Sequence, residues 1–147
     1  LSAPAFEAAR ARMETPTPRV ALGLALRGLA STAIDLSDGL LGDLGHVLRA
    51  SGVGARIDVQ QAETRLATPP TEIDAETRRG VVLAGGDDYE LLFTAPMRHR
   101  AAIEAAGDAT ATPVRRIGAI EAAPGLRLVD GDGRPIANCF AGFDHFA

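Results

Sequence analysis

The sequence holds no tryptophan, no lysine and a single cysteine, and aromatic residues make up only 4% of its 147 positions. Each shortage excludes something. Without lysine there is no Gly-Lys-Ser/Thr, so a Walker-type phosphate loop is absent. One cysteine, Cys139, rules out an internal disulfide and any multi-cysteine zinc site, and suits a reducing, cytoplasmic setting. No apolar run approaches the length that spans a membrane, and the N-terminus lacks a signal-peptide layout, so no membrane role is expected. The net charge of −4 speaks against nucleic acid as the main partner. Ser37 has no Gly-x-Ser-x-Gly surroundings and Cys139 has no evident base, which disfavours a serine or cysteine hydrolase. With so few aromatics, the core must be built from Ala, Leu, Val and Ile.

The remaining composition is that of a globular domain, with 46% hydrophobic and 23% charged residues, and the length is enough for one real core. The chain is organised around Ala33-Ile34-Asp35-Leu36-Ser37-Asp38-Gly39-Leu40-Leu41. This stretch reads as a short apolar strand, a turn at Ser37-Asp38-Gly39, and a helix whose Leu40, Leu41, Leu44, Val47 and Leu48 recur at helical spacing. Asp35 ending the strand and Asp38 opening the helix would place two carboxylates at one crevice beyond the strand's carboxyl end, where open α/β sheets bind ligands. Free amides at a helix N-terminus attract anions, whereas carboxylates repel phosphate unless a hard cation lies between. Mg²⁺ uses one or two carboxylates together with phosphate oxygens and waters, so the pattern points to a metal-bridged polyphosphate. The alternative is that Ser37 or Asp38 simply caps the helix.

Along the chain, residues 1–15 suggest an amphipathic helix that ends before Pro16, and Val20 to Leu29 a second one with Gly28 near its end. The opening at Leu1, without Met and inside a helical segment, suggests a piece of a longer protein. Ala55 to Val59 alternates as a strand. Gln60 to Asp74 reads as a surface loop with short helical turns. Asp74 is a good N-cap for a helix through Leu83. Gly85-Gly86-Asp87-Asp88-Tyr89-Glu90 forms a tight loop, followed by a buried strand at Leu91 to Thr94. Pro96 to Ala106 reads as a helix ended by Gly107-Asp108, and Val114 to Ile120 and Leu126 to Val129 as strands. Arg134-Pro135-Ile136 is placed to pair back as a hairpin across an acidic turn at Asp130 to Gly133. His46 belongs on the central helix near Asp43, in a solvated or capping role. Early alternation of strands and helices, with strands dominating late, predicts an α+β, two-layer α/β fold: a mixed sheet with helices mainly on one face. If the strands carrying them are neighbours, the acidic clusters Asp35/Asp38 and Asp87/Asp88/Glu90 meet at one sheet edge. The Asp130-Gly131-Asp132-Gly133 turn shows that such clusters can also be mere turns.

Three ordered stretches resemble the thiamine-monophosphate kinase family: Ala33 to Leu40, Gly85-Gly86-Asp87-Asp88-Tyr89-Glu90-Leu91-Leu92-Phe93, and Gly142-Phe143-Asp144-His145-Phe146. Pro16 to Arg19 and the late Leu126 to Pro135 hairpin are also similar to that family. The resemblance covers essentially the whole chain, as the C-terminal half of the family's enzyme. It implies an aminoimidazole ribonucleotide (AIR) synthetase C-terminal-domain-like fold, with residues 1–32 as a helical lead-in and 33–147 as the domain proper. It also implies phosphorylation of thiamine monophosphate to thiamine diphosphate with ATP and Mg²⁺. By the same resemblance Asp35 and Asp38 ligate magnesium, Ser37 contacts ATP, and Glu90 and Phe143 meet the substrate. Phe143 stands where the family often has Trp or Tyr. The partners implied are thiamine monophosphate, a missing N-terminal half carrying further aspartates, and a second copy in a full-length homodimer. Two other readings stay open: a related synthetase of the aminoimidazole ribonucleotide or selenophosphate type, and a non-catalytic ligand-binding or dimer-supporting domain.

Overall fold

Ser2, Asp58 and Asp74 each stand one residue ahead of a helix, and each side chain accepts a backbone amide of the first turn. These are the donors that a helix start leaves unpaired. They open α1 (Ala3–Glu14), α4 (Val59–Glu63) and α5 (Ala75–Ala84) in the computed structural model, which describes residues 2–64 and 72–139. Helix α2 (Val20–Ala25) is shorter than its apolar spacing predicts and gives way to turns ending near Gly28, at φ +77°. Helix α3 (Leu40–Ser51) stops at Gly52 in the left-handed conformation, as the glycine pair after it predicts. Helix α6 (Arg100–Ala109), entered through a 3₁₀ turn at Met97–His99, runs past Gly107 rather than ending there. Gly107 is buried, and a Cβ on it would lie 3.0 Å from both the Val114 side chain and the Thr112 carbonyl oxygen. A side chain there would crowd both neighbours, so close packing favours glycine at a position inside the helix.

Six strands complete the fold: β1 (Thr32–Asp35), β2 (Gly54–Asp58), β3 (Leu91–Thr94), β4 (Gly118–Glu121), β5 (Gly125–Val129) and β6 (Pro135–Ile136). The strand expected over Val114 to Ile120 contracts to β4, and residues 112–117 are irregular. Four strands form a mixed sheet in the order β4-β2-β5-β6, with β2 parallel to β5 and antiparallel to β4. The hairpin closes as expected, Leu128 facing Ile136, and Asp130 Oδ1 ties its turn by accepting the amides of Asp132 and Arg134. That acidic turn is structural.

The remaining strands, β1 and β3, form a separate two-stranded antiparallel ribbon. Strand β3 therefore has one strand neighbour among the described residues, and all four of its residues are half-buried instead of fully buried. The α+β, two-layer class stands. Leu40, Leu41, Leu44 and Leu48 of α3, Val59 and Ala62 of α4 and Leu83 of α5 pack in one cluster with Ala55, Ile57 and Leu128 of the larger sheet. This core is aliphatic throughout, as the composition requires. No helix among the described residues is long and apolar enough to cross a membrane.

Candidate active site

Strands β1 and β3 pair with Asp35 opposite Leu91, so the end of one and the start of the other lie together. Both focal loops leave the ribbon at that end, and the ladder continues into them. The Leu36 amide donates to the Glu90 carbonyl at 2.9 Å, the Tyr89 amide to the Leu36 carbonyl at 2.8 Å, and the Asp87 amide to the Ser37 carbonyl at 3.0 Å. The expected meeting of the two clusters at one sheet edge is thus realised through backbone pairing. Two glycines permit it. A Cβ on Gly86 would stand 2.5 Å from the Ser37 carbonyl oxygen, and one on Gly39 would stand 2.9 Å from the Gly85 carbonyl oxygen. Gly39 also sits at φ +103°, a region glycine enters without steric cost.

The turn itself differs from the simplest reading. The N-cap of α3 is Gly39, so neither Ser37 nor Asp38 occupies the capping position. Nor are the Ser37 and Asp38 amides free to attract an anion. Both donate to Asp43 Oδ2, at 3.0 and 3.1 Å, and Asp43 is only 3% exposed. A carboxylate from within the chain takes both donors. His46 is exposed, with Nδ1 placed 3.0 Å from Arg49 Nη2, so its solvated role holds while Asp43 turns to the loop. Asp35 is exposed, and Ser37 and Asp38 are half-buried.

Glu90 is not a bare carboxylate. Arg19 reaches it with Nε and Nη2 at 2.8 and 2.7 Å, a bidentate pair, and Arg12 of α1 donates to the same carboxylate. Desolvation alone would push the Glu90 carboxyl up, but the hydrogen bonds from Arg19 and Arg12 outweigh it and hold it below the usual carboxylate range. The same contact raises Arg19. Asp88, two positions before Glu90, moves the other way: although the residue is exposed at the surface, crowding of its carboxyl by the loop, then the charge of Glu90, pushes it up to about 6. The Tyr89 hydroxyl donates to Asp87 Oδ1 at 3.1 Å, which raises the phenol above its ordinary value. Asp87 and Tyr89 carry φ values of +64° and +51°, so Asp88 is flanked by two non-glycine residues in the left-handed region.

Beside these groups lies a crevice of about 400 Å³ whose walls are mainly apolar: Pro16, Pro18, Val20, Tyr89 and Leu91, with Arg19 and Asp35 as its charged members. Among the described residues, the structure therefore gathers Asp35, Ser37, Asp38 and Glu90 at one end of the ribbon. Phe143, with its neighbours Phe140, His145 and Phe146, lies outside the described residues. Sequence reasoning missed Arg12, Arg19, Asp43 and Tyr89 as members of the site. The Pro16 to Arg19 link was the one available signal, since a proline-stiffened segment ending in arginine is built to hold that arginine in place.

No group of three or more His, Cys, Asp or Glu side chains among the described residues could cage a metal. Mg²⁺ accepts one or two carboxylates and takes its other ligands from phosphate and water, and the Asp35 and Asp38 donor set fits such an ion.

Comparison with known proteins gives the family and the fold. The family model for the AIR synthase related protein, C-terminal domain, matches residues 2–131. The chain is 46% identical over 133 residues to the thiamine-monophosphate kinase of Salmonella typhimurium, covering 90% of this chain and 40% of that protein. The crystal structure of thiamine-monophosphate kinase from Stenotrophomonas maltophilia matches with a TM-score of 0.79 at 37% identity, over 92% of this chain and 42% of that one. A second structure, "AaThiL complexed with AMPPCP and TMP", matches with a TM-score of 0.67 at 25% identity, over 97% of this chain and 42% of that one. The chain thus spans about 40% of the length of the curated relatives it matches.

Proposed function

The chain belongs to the AIR synthase related protein C-terminal domain family, and from that premise we propose that it is the C-terminal portion of an ATP-dependent thiamine-monophosphate kinase. The observation that carries the reading is the docking of the Ser37 turn on the Gly86 loop, which gathers the two motifs beside one crevice. In this reading Asp35 and Asp38 hold Mg²⁺, Ser37 contacts ATP, and Glu90 and Phe143 meet thiamine monophosphate. Residues 1–32 serve as the lead-in to the domain at 33–147. The rest of the ATP site comes from the part of the relatives' length that this chain does not span, and the full-length protein works as a homodimer.

The chemistry supports the assignment. Transfer of a phosphoryl group to a phosphate brings anions together, and the protein's task is positioning and charge compensation rather than covalent chemistry. Bound Mg²⁺ would supply that charge compensation between the two phosphates. Direct in-line transfer asks no covalent step of the protein, only that donor and acceptor be held in line. Glu90 provides negative charge for a cationic ring, and Arg19 fixes the orientation of its carboxylate. Arg12 is the more exposed of its two partners, at 46% against 18% for Arg19, and is the one a substrate cation would displace. The Tyr89 ring, in the crevice wall, adds an aromatic face to the one proposed for Phe143. A cation over such a face gains about 0.5–2 kcal/mol.

The test is product formation by the full-length protein supplied with ATP, Mg²⁺ and thiamine monophosphate. Thiamine diphosphate should appear, and should depend on the metal. ATP hydrolysis without thiamine diphosphate, or turnover only with a synthetase-type substrate, would overturn the reading.

A further inference from the structure

Asp43 lies in the first turn of α3, and its side chain does something a helix cap does not. In a capping box, the residue at the third helical position reaches back to the N-cap amide. Asp43 is the fourth helical residue, its own amide bonded to the Gly39 carbonyl at 3.0 Å. Its carboxylate passes the N-cap and grips the two residues before it, taking the amides of Ser37 and Asp38 on one oxygen. The group is 3% exposed, so these are charge-assisted bonds shielded from water. The helix N-terminus adds favourable potential for the buried charge. The bonds fall within the Asp35 to Asp38 turn, and Asp87 holds the same turn from outside through the Ser37 carbonyl.

We propose that Asp43 is a positioning residue for the divalent-cation site. Its buried carboxylate fixes the backbone between Asp35 and Asp38, so that the two side chains are presented to the metal with the spacing set in advance. By occupying the Ser37 and Asp38 amides, it also denies them to the substrate phosphates, so that these meet the turn through the cation. The proposal rests on the assignment of Asp35 and Asp38 to the metal. Groups that orient ligands without touching the metal typically alter its affinity by about 10–100-fold when removed.

The experiment uses the full-length protein with Mn²⁺ as the probe, its dissociation constant read by electron paramagnetic resonance, together with the KM values for Mg²⁺ and for thiamine monophosphate. Asp43→Ala should weaken Mn²⁺ about 10–100-fold and raise the KM for Mg²⁺ in step, with the KM for thiamine monophosphate changed far less. Asp43→Asn keeps one oxygen for both amides but not the charge, and such uncharged bonds are roughly half as strong. It should fall between the parent and Asp43→Ala, and it decides the matter if the alanine variant does not fold. Asp35→Asn is the control for the underlying reading. If Asp35→Asn weakens Mn²⁺ while folded Asp43→Asn binds it like the parent, the positioning role fails and the metal assignment stands. If Asp35→Asn also binds Mn²⁺ like the parent, the metal assignment fails and the proposal falls with it.

Discussion

At the residue scale, the site is a set of carboxylates placed in different surroundings. Glu90 is held ionised by two arginines, whereas Asp88, two positions away, has its carboxyl pushed up from an ordinary 3.8 to about 6. Their contributions to stability change with pH in opposite directions. A carboxyl raised in the folded state binds its proton more tightly there, so its contribution is full below pH 3.8 and is lost as the pH climbs through about 6. Glu90, being lowered, contributes above its ordinary value and loses that contribution in acid. Asp88→Asn removes the first effect alone. In metal-free buffer, the Tm of Asp88→Asn should exceed that of the parent by an amount that grows between pH 4 and pH 7; a difference independent of pH would show that Asp88 is not perturbed. None of this was legible in the run Asp87-Asp88-Tyr89-Glu90. The residues that separate the two carboxylates, Arg12 and Arg19, lie 78 and 71 positions away from Glu90. Asp43 escaped notice for another reason: an acidic residue in a first helical turn already has an ordinary explanation in the helix dipole.

At the scale of elements, the crossing of the Ser37 turn and the Gly86 loop is the joint on which the site depends. Gly86→Ala drives a methyl group to 2.5 Å from the Ser37 carbonyl oxygen, which backbone must yield to accommodate. A destabilisation of about 1–3 kcal/mol is expected from such overpacking, with catalysis in the full-length protein falling further than the folded fraction does. Asp74→Ala is the comparison. Losing that cap should cost about 1 kcal/mol, yet it stands at the start of α5, away from the crevice lining, and should leave activity per folded molecule unchanged. Equal loss of activity in both variants would mean that the joint acts only through global stability. Elements with local signals were readable in advance: Asp74 as a cap, Gly52 as a helix stop, the Asp130 to Gly133 hairpin turn. The division of the strands into a ribbon and a separate sheet was not, because strand partners are chosen by tertiary packing that leaves no mark on a short apolar run. The same holds for Gly107, where a residue that reads as a helix stop is there to let Val114 approach.

At the scale of the molecule, the proposed reading gives the chain one side of a site. Asp35 and Asp38, proposed for the metal, and Glu90, proposed for the substrate, meet at the end of the β1–β3 ribbon, and the chain spans about 40% of the curated relatives it matches. The purified 147-residue chain should accordingly form no substantial thiamine diphosphate from thiamine monophosphate and ATP; robust turnover by it would show that the described residues and the tail suffice. In the proposed function, Asp35 and Asp38 form the metal-directed pair of a phosphoryl-transfer site. This claim is tested most directly by the rate of thiamine diphosphate formation in the full-length protein carrying Asp35→Asn or Asp38→Asn, measured across a Mg²⁺ titration at saturating ATP. Each variant should lose most of its activity, with partial recovery at high Mg²⁺. Parental turnover at ordinary Mg²⁺ in both variants would contradict the claim and leave the turn with a structural role alone.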